Sequence, residues 1–172
     1  IIENMPYRLS GDAYGLERCK LDTCYPENMT DFSTIVWFHG GGLSGGAKVI
    51  PDHRKTSGLA IVAVNYRLLP KGTLSDCIDD AAAAVAWTFD EIEKYGGNKR
   101  KIFVSGHSAG GYLAAMIGLD KKWLKAYQAD ADDIAGLIPF SGHAISHFAY
   151  RQSKGMKDFQ PSIDEFAPLF YV

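Results

Sequence analysis

Apolar positions along the chain change period several times. Ser33 to Phe38 (STIVWF) and Leu59 to Asn65 (LAIVAVN) are near-continuous apolar runs rich in β-branched residues, the pattern of strands buried on both faces. From Asp76 to Tyr95, apolar residues recur at Ile78, Ala81, Ala82, Val85, Ala86, Phe89 and Ile92, which is helical spacing, and Gly96-Gly97 stops it. Asp76, Asp79 and Asp80 fall in the first turns of that helix, where its dipole favours negative charge. Lys101 to Ser105 (KIFVS) predicts another buried strand, followed after a glycine-flanked turn by a helix over Gly110 to Leu119. Ile134 to Phe140 predicts a further strand, and Leu16 to Tyr25 an exposed one of alternating polarity. Strands and helices alternating at short spacing predict an α/β fold, a mostly parallel sheet with helices on both faces.

Residues 142–165 are irregular, with polar and aromatic patches. A loop that long inside a compact domain predicts a lid or pocket-covering segment. The 172 residues correspond to one domain. Eighteen Lys and Arg against 20 Asp and Glu leave a net charge of −2, which excludes electrostatic capture of nucleic acid as the main activity. The apolar runs fall far short of the ~18 to 20 residues that cross a bilayer, so no membrane span is predicted. The opening IIENMPYRLSGDAYG lacks the basic start and long apolar stretch of a signal peptide, and a chain starting at Ile1 leaves export open. Three cysteines, Cys19, Cys24 and Cys77, fit free thiols better than a disulfide framework or a four-ligand zinc site.

The chemistry concentrates in two glycine-rich turns. Gly106-His107-Ser108-Ala109-Gly110 is a GxSxG sequence between a predicted strand and a predicted helix. A serine at the tip of such a turn projects its hydroxyl outward, glycines on either side let strand and helix approach, and the helix N-terminus aims N–H groups at developing negative charge. His39-Gly40-Gly41-Gly42 directly follows the strand STIVWF, and an HGGG turn there supplies oxyanion-hole donors. His39 opens that turn and fits a bracing role. His107, adjacent to Ser108 on a sharp turn, diverges from it and cannot easily serve it as a base.

Gly40-Gly41-Gly42-Leu43-Ser44-Gly45 also satisfies GxGxxG, the dinucleotide fingerprint of an oxidoreductase. That reading needs an immediate helix and an acidic residue ending the next strand. Pro51 interrupts the first, and Asn65-Tyr66-Arg67 replaces the second.

HGGG, then NYRLLP at 65–70, then GHSAGG at 106–111, resembles the hormone-sensitive-lipase-like carboxylesterase branch of the α/β-hydrolases, over about Leu16 to Val172. Asp80, Trp87 and Tyr95-Gly96-Gly97-Asn98 also fit, although Asp is usual at the position of Asn98. His107 stands where many members have Asp, and NYRLLPK replaces the commoner DYRLAPE, departures that point toward smaller bacterial esterases, including feruloyl-esterase-like and arylformamidase-like relatives. The resemblance implies Ser108 as nucleophile, with the N–H groups of Gly41, Gly42 and Ala109 as the oxyanion hole. Gly40, Gly106, Gly110, His39 and His107 would support them. It implies a small-molecule ester substrate and neither a metal nor an organic cofactor.

The family orders its triad Ser, then Asp or Glu, then His. The last histidine here, His147, precedes Asp158, Asp164 and Glu165, so neither partner is assigned within the chain. His143 and His147 could line the pocket. The resemblance therefore implies the N-terminal two-thirds of an esterase, its missing C-terminal part being the expected partner. A non-catalytic binding protein on the same fold, or an inactive fragment, is the alternative from another functional class.

Overall fold

The computed structural model describes residues 1–50, 58–157 and 160–172; Pro51 and Asp158 lie outside them. Six strands, β1 (Ile2–Pro6), β2 (Lys20–Cys24), β3 (Phe32–Phe38), β4 (Ala60–Val64), β5 (Gly97–His107) and β6 (Gly136–Phe140), form one sheet in the order β1-β2-β4-β3-β5-β6. β1 and β2 pair antiparallel at one end, and β4, β3, β5 and β6 run parallel. With helices α1 (Ala13–Arg18), α2 (Leu74–Glu91), α3 (Ala109–Leu119), α4 (Lys122–Lys125) and α5 (Phe148–Ser153), this is the α/β-hydrolase architecture. No helix among the described residues is long and apolar enough to cross a membrane.

The burial of each strand follows its place in the sheet. β4, flanked by β2 and β3, is buried at every position. β3 instead alternates: Phe32, Thr34, Val36 and Phe38 are buried, while Ile35 and Trp37 are only half-buried on the opposite face. The expected double-sided burial of STIVWF is thus met on one face among the described residues. β6 ends the sheet and leaves Ile138 and Phe140 exposed. The strand expected over Leu16 to Tyr25 starts at Lys20, because the Asp12 side chain accepts from the Gly15 N–H and caps a short helix first.

α2 opens on a capping box, in which Thr73 accepts from the Asp76 N–H and Asp76 accepts from the Thr73 N–H. It continues as a 3₁₀ turn over Ile92–Tyr95 and ends at Gly96, whose φ of 91° suits glycine. Asp80, fully buried on α2, accepts from the Arg67 backbone N–H at 2.9 Å and from its guanidinium at 2.9 and 2.8 Å, and forms a further ion pair with Arg8. This network ties the segment after β1, the end of β4 and α2 together. Replacing Asp80 by alanine would remove the one fully buried carboxylate that Arg8 and Arg67 share, leaving Arg8 only Asp79 and Arg67 only the more exposed Asp12, Asp76 and Asp79, so Asp80→Ala is expected to cost about 3 kcal/mol, read as a lowered urea midpoint.

Strand register positions the two glycine-rich turns. β3 and β5 are neighbours, with Phe38 opposite Gly106, so the turn leaving β3 and the turn leaving β5 emerge side by side at the carboxyl end of the sheet.

Candidate active site

Ser108 links β5 to α3 with φ 54° and ψ −115°, a positive-φ conformation for a residue bearing a Cβ. Such a conformation costs of order 1–3 kcal/mol and persists only where the surroundings enforce it. They do so here. The Ser108 N–H donates to the Phe140 carbonyl at 2.8 Å, and the Ser108 carbonyl accepts from Tyr112 N–H at 3.0 Å in the first turn of α3. A Cβ on Gly106 would lie 2.5 Å from the Gly110 carbonyl and 2.7 Å from the Phe38 oxygen, so Gly106 and Gly110 are where strand and helix touch. The side chain of Ser108 is left half-buried, with no hydrogen-bond partner among the described residues.

The glycine turn lies against it. A Cβ on Gly40 would be 3.5 Å from Ser108 Cβ and 3.1 Å from the His107 carbonyl. Two peptide planes of this turn are pinned by their carbonyls. The Gly40 oxygen is 2.7 Å from His39 Nδ1, and the Gly41 oxygen accepts from Ser44 N–H at 3.1 Å and Gly45 N–H at 3.0 Å. In a trans peptide the N–H points opposite the carbonyl, so those contacts also fix the directions of the Gly41 and Gly42 N–H groups. Neither of these, nor the Ala109 N–H, enters a backbone hydrogen bond among the described residues. Gly41, with φ 116°, and Gly42, with φ 64°, occupy backbone conformations that side chains disfavour.

His39 is buried, stacked on Tyr66 with ring centroids 4.4 Å apart, and Tyr66 Oη donates to the His39 carbonyl at 2.8 Å. Burial and the nearby Arg18 guanidinium push its pKa down to about 4, against a backbone hydrogen bond to Gly40 that acts the other way. His39 therefore stays neutral at physiological pH and is committed to the turn. His107 is exposed, its ring beside Gly40.

His143 and His147 do not reach Ser108 through any described hydrogen bond; they join an aromatic cluster instead. Their rings lie 4.9 Å apart, His147 also packs on Phe148 and Tyr112, and a Cβ on Gly42 would meet the Phe148 ring at 3.1 Å. Asp164 accepts from Ser146 Oγ at 2.7 Å and from the Phe166 N–H at 3.0 Å, which closes the segment on itself, while Glu165 is exposed. Tyr112 Oη donates to the Phe166 carbonyl at 2.7 Å and anchors that segment to α3.

Burial, then the neighbouring His143 and Arg151, lowers the His147 pKa to about 3. An unfolded chain would protonate this ring near pH 6.5 while the folded chain leaves it neutral, so its stabilising contribution is full above about pH 6.5 and declines as the pH falls toward 3. The urea midpoint is accordingly expected to drop between pH 7.5 and 5, and His147→Gln to flatten part of that dependence.

The sequence reading missed three contributors, Arg18, Tyr66 and Phe148. Tyr66 lay inside the NYRLLP run and was legible as a motif member, whereas Arg18 and Phe148 act through contacts that no local pattern announces.

Residues 21–167 match the BD-FAE family. The chain belongs to the BD-FAE family. Among curated relatives, a probable isoprenylcysteine alpha-carbonyl methylesterase of Oryza sativa is 27% identical over 90% of this chain and 41% of its own length. Carboxylesterase NlhH of Mycobacterium tuberculosis is 35% identical over 60% of this chain and 34% of its own. The chain thus spans about two-fifths or less of the curated relatives it matches. A solved esterase from the planctomycete Thermogutta terrifontis superposes over 99% of this chain and 66% of its own, with a TM-score of 0.74 at 22% identity, and shares the fold.

Proposed function

We propose that the protein is a serine hydrolase that cleaves carboxylic esters of small or medium size through an acyl-enzyme on Ser108. The observation that carries this reading is the juxtaposition of a positive-φ serine at a strand-to-helix turn with a glycine turn whose carbonyls are held and whose Gly41 and Gly42 N–H groups enter no backbone hydrogen bond among the described residues. Ser108 Oγ attacks the ester carbonyl and gives up its proton to a general base. The tetrahedral oxyanion is held by the N–H groups of Gly41, Gly42 and Ala109, and the alcohol leaves on taking a proton. Water then adds to the acyl-serine and returns the free acid and Ser108. On this reading the described part of residues 142–165 contributes to a pocket cover, which the Phe148 ring against Gly42 supports. The names of the relatives, a methylesterase and a carboxylesterase, support ester hydrolysis in general.

We infer that the general base is none of the histidines among the described residues and is supplied from outside residues 1–172, as the order Ser, acid, His of the resembled family implies. The support is that, among the described residues, His39 is bound to its own turn, His107 is exposed on the sharp turn beside Ser108, and His143 and His147 are packed among aromatic rings; His53 lies outside the described residues. On their own, residues 1–172 are therefore expected to hydrolyse esters poorly, retaining only the assistance of binding and the oxyanion hole. The test compares turnover of a panel of esters by the intact gene product and by the 172-residue polypeptide. Turnover by the intact product alone agrees with the reading; equal turnover by both contradicts it.

A further inference from the structure

We infer that Arg18 is a positioning residue for the oxyanion-hole turn, acting through the tautomer of His39. The inference rests on the serine-hydrolase reading of Ser108 and extends it to a residue 90 positions earlier in the chain.

Arg18 closes the short helix α1, and its guanidinium reaches across to the turn. Nε donates to the Tyr66 carbonyl at 3.1 Å, and Nη2 donates to the Gly46 carbonyl at 2.6 Å and lies 3.4 Å from His39 Nε2. None of these partners is a carboxylate, and Arg18 forms no ion pair among the described residues. A cation committed to two carbonyls and a ring nitrogen contributes direction rather than charge balance.

The donor inventory then fixes a proton. A guanidinium carries five N–H donors and no acceptor, so His39 Nε2 can meet it only with a lone pair. The ring proton must reside on Nδ1, which donates it to the Gly40 carbonyl at 2.7 Å. That bond holds the Gly40–Gly41 peptide plane, and the Gly41 N–H on its far side is thereby aimed. With the proton on Nε2 instead, Nδ1 would confront the Gly40 oxygen lone pair to lone pair, and the plane would lose its tether. Meanwhile the bond to Gly46 clamps the other end of the turn, where a Cβ on Gly46 would already lie 2.5 Å from His39 Nδ1. Guanidinium, tautomer, carbonyl and amide thus form one chain of constraints that ends on a proposed oxyanion donor.

The test uses the intact gene product, ¹⁵N-labelled, as wild type, Arg18→Met and Arg18→Lys. Long-range ¹H–¹⁵N correlation of the His39 ring reports the tautomer without requiring activity, and steady-state kinetics separate kcat from KM. Wild type is expected to show His39 protonated on Nδ1. In Arg18→Met the tautomer should shift toward Nε2–H, with kcat reduced about 10- to 100-fold and KM little changed, as expected when a transition-state donor is misaimed. Arg18→Lys, which keeps one cationic donor but loses the fork, should recover part of kcat and most of the Nδ1–H tautomer.

Retention of the Nδ1–H tautomer and of kcat in Arg18→Met would overturn the inference. So would a loss of kcat that only follows the unfolded fraction while the tautomer stays unchanged. Should Arg18→Met not fold, the same two readouts on Arg18→Lys decide: an unchanged tautomer with wild-type kcat overturns the inference. A wild-type protein that turns over no ester would overturn the serine-hydrolase reading, and the tautomer would still decide whether Arg18 sets His39.

Discussion

Replacing Ser108 by alanine in the intact gene product is expected to lower kcat by about 10⁴- to 10⁶-fold and to leave the fold in place. The hydroxyl is half-buried and takes no hydrogen bond from a described residue, so its removal strands no partner. The methyl group that remains keeps the Cβ that the backbone already accommodates at φ 54°. Melting temperature should therefore hold steady or rise slightly, since strain and polarity at a functional site are often relieved by such a change. A variant that loses turnover together with its thermal transition would point to a structural serine and count against the nucleophile reading.

The opposite signature is expected of Gly110→Ala. A Cβ there would stand 2.6 Å from the Phe38 carbonyl carbon and 2.8 Å from the His39 oxygen, and both are backbone atoms. No rotamer change relieves a clash with backbone. α3 would have to part from the β3 terminus, and with it the contact between the two glycine-rich turns. A cost of at least about 3 kcal/mol is expected, at the upper end for an overpacked site and a large part of a typical domain's total stability. Urea unfolding measures it directly. A midpoint within experimental error of wild type would show that strand and helix are not in contact at this position.

These two residues also show what was legible in the sequence. GxSxG and HGGG were readable because the glycines are forced by close backbone approach, a local demand that leaves a local trace. Parallel architecture was readable from apolar runs separated by a helical period. The order β2-β4-β3-β5-β6 was not, since pairing of Phe38 with Gly106 depends on which strands become neighbours, and burial pattern alone does not report it. Leu16 to Arg18 read as strand because alternating polarity outweighed the single capping residue Asp12. Arg18 left no signal at all, for its partners are a ring nitrogen and two carbonyls 21 to 48 positions away. Similarly, Phe148 was visible as part of an aromatic patch, but only the fold brings its ring against Gly42.

The central claim is that Ser108 is the nucleophile of an ester hydrolase. Its most direct test is to treat the intact gene product with a fluorophosphonate, digest with trypsin, and locate the adduct by mass spectrometry in the peptide covering residues 102–121, which carries both Ser105 and Ser108. Ser105 is buried and donates to the Ile138 carbonyl at 2.7 Å, which leaves Ser108 as the expected site of a single adduct. An adduct on Ser105 or on a serine elsewhere, or an unmodified protein that nonetheless turns over esters, would contradict the account.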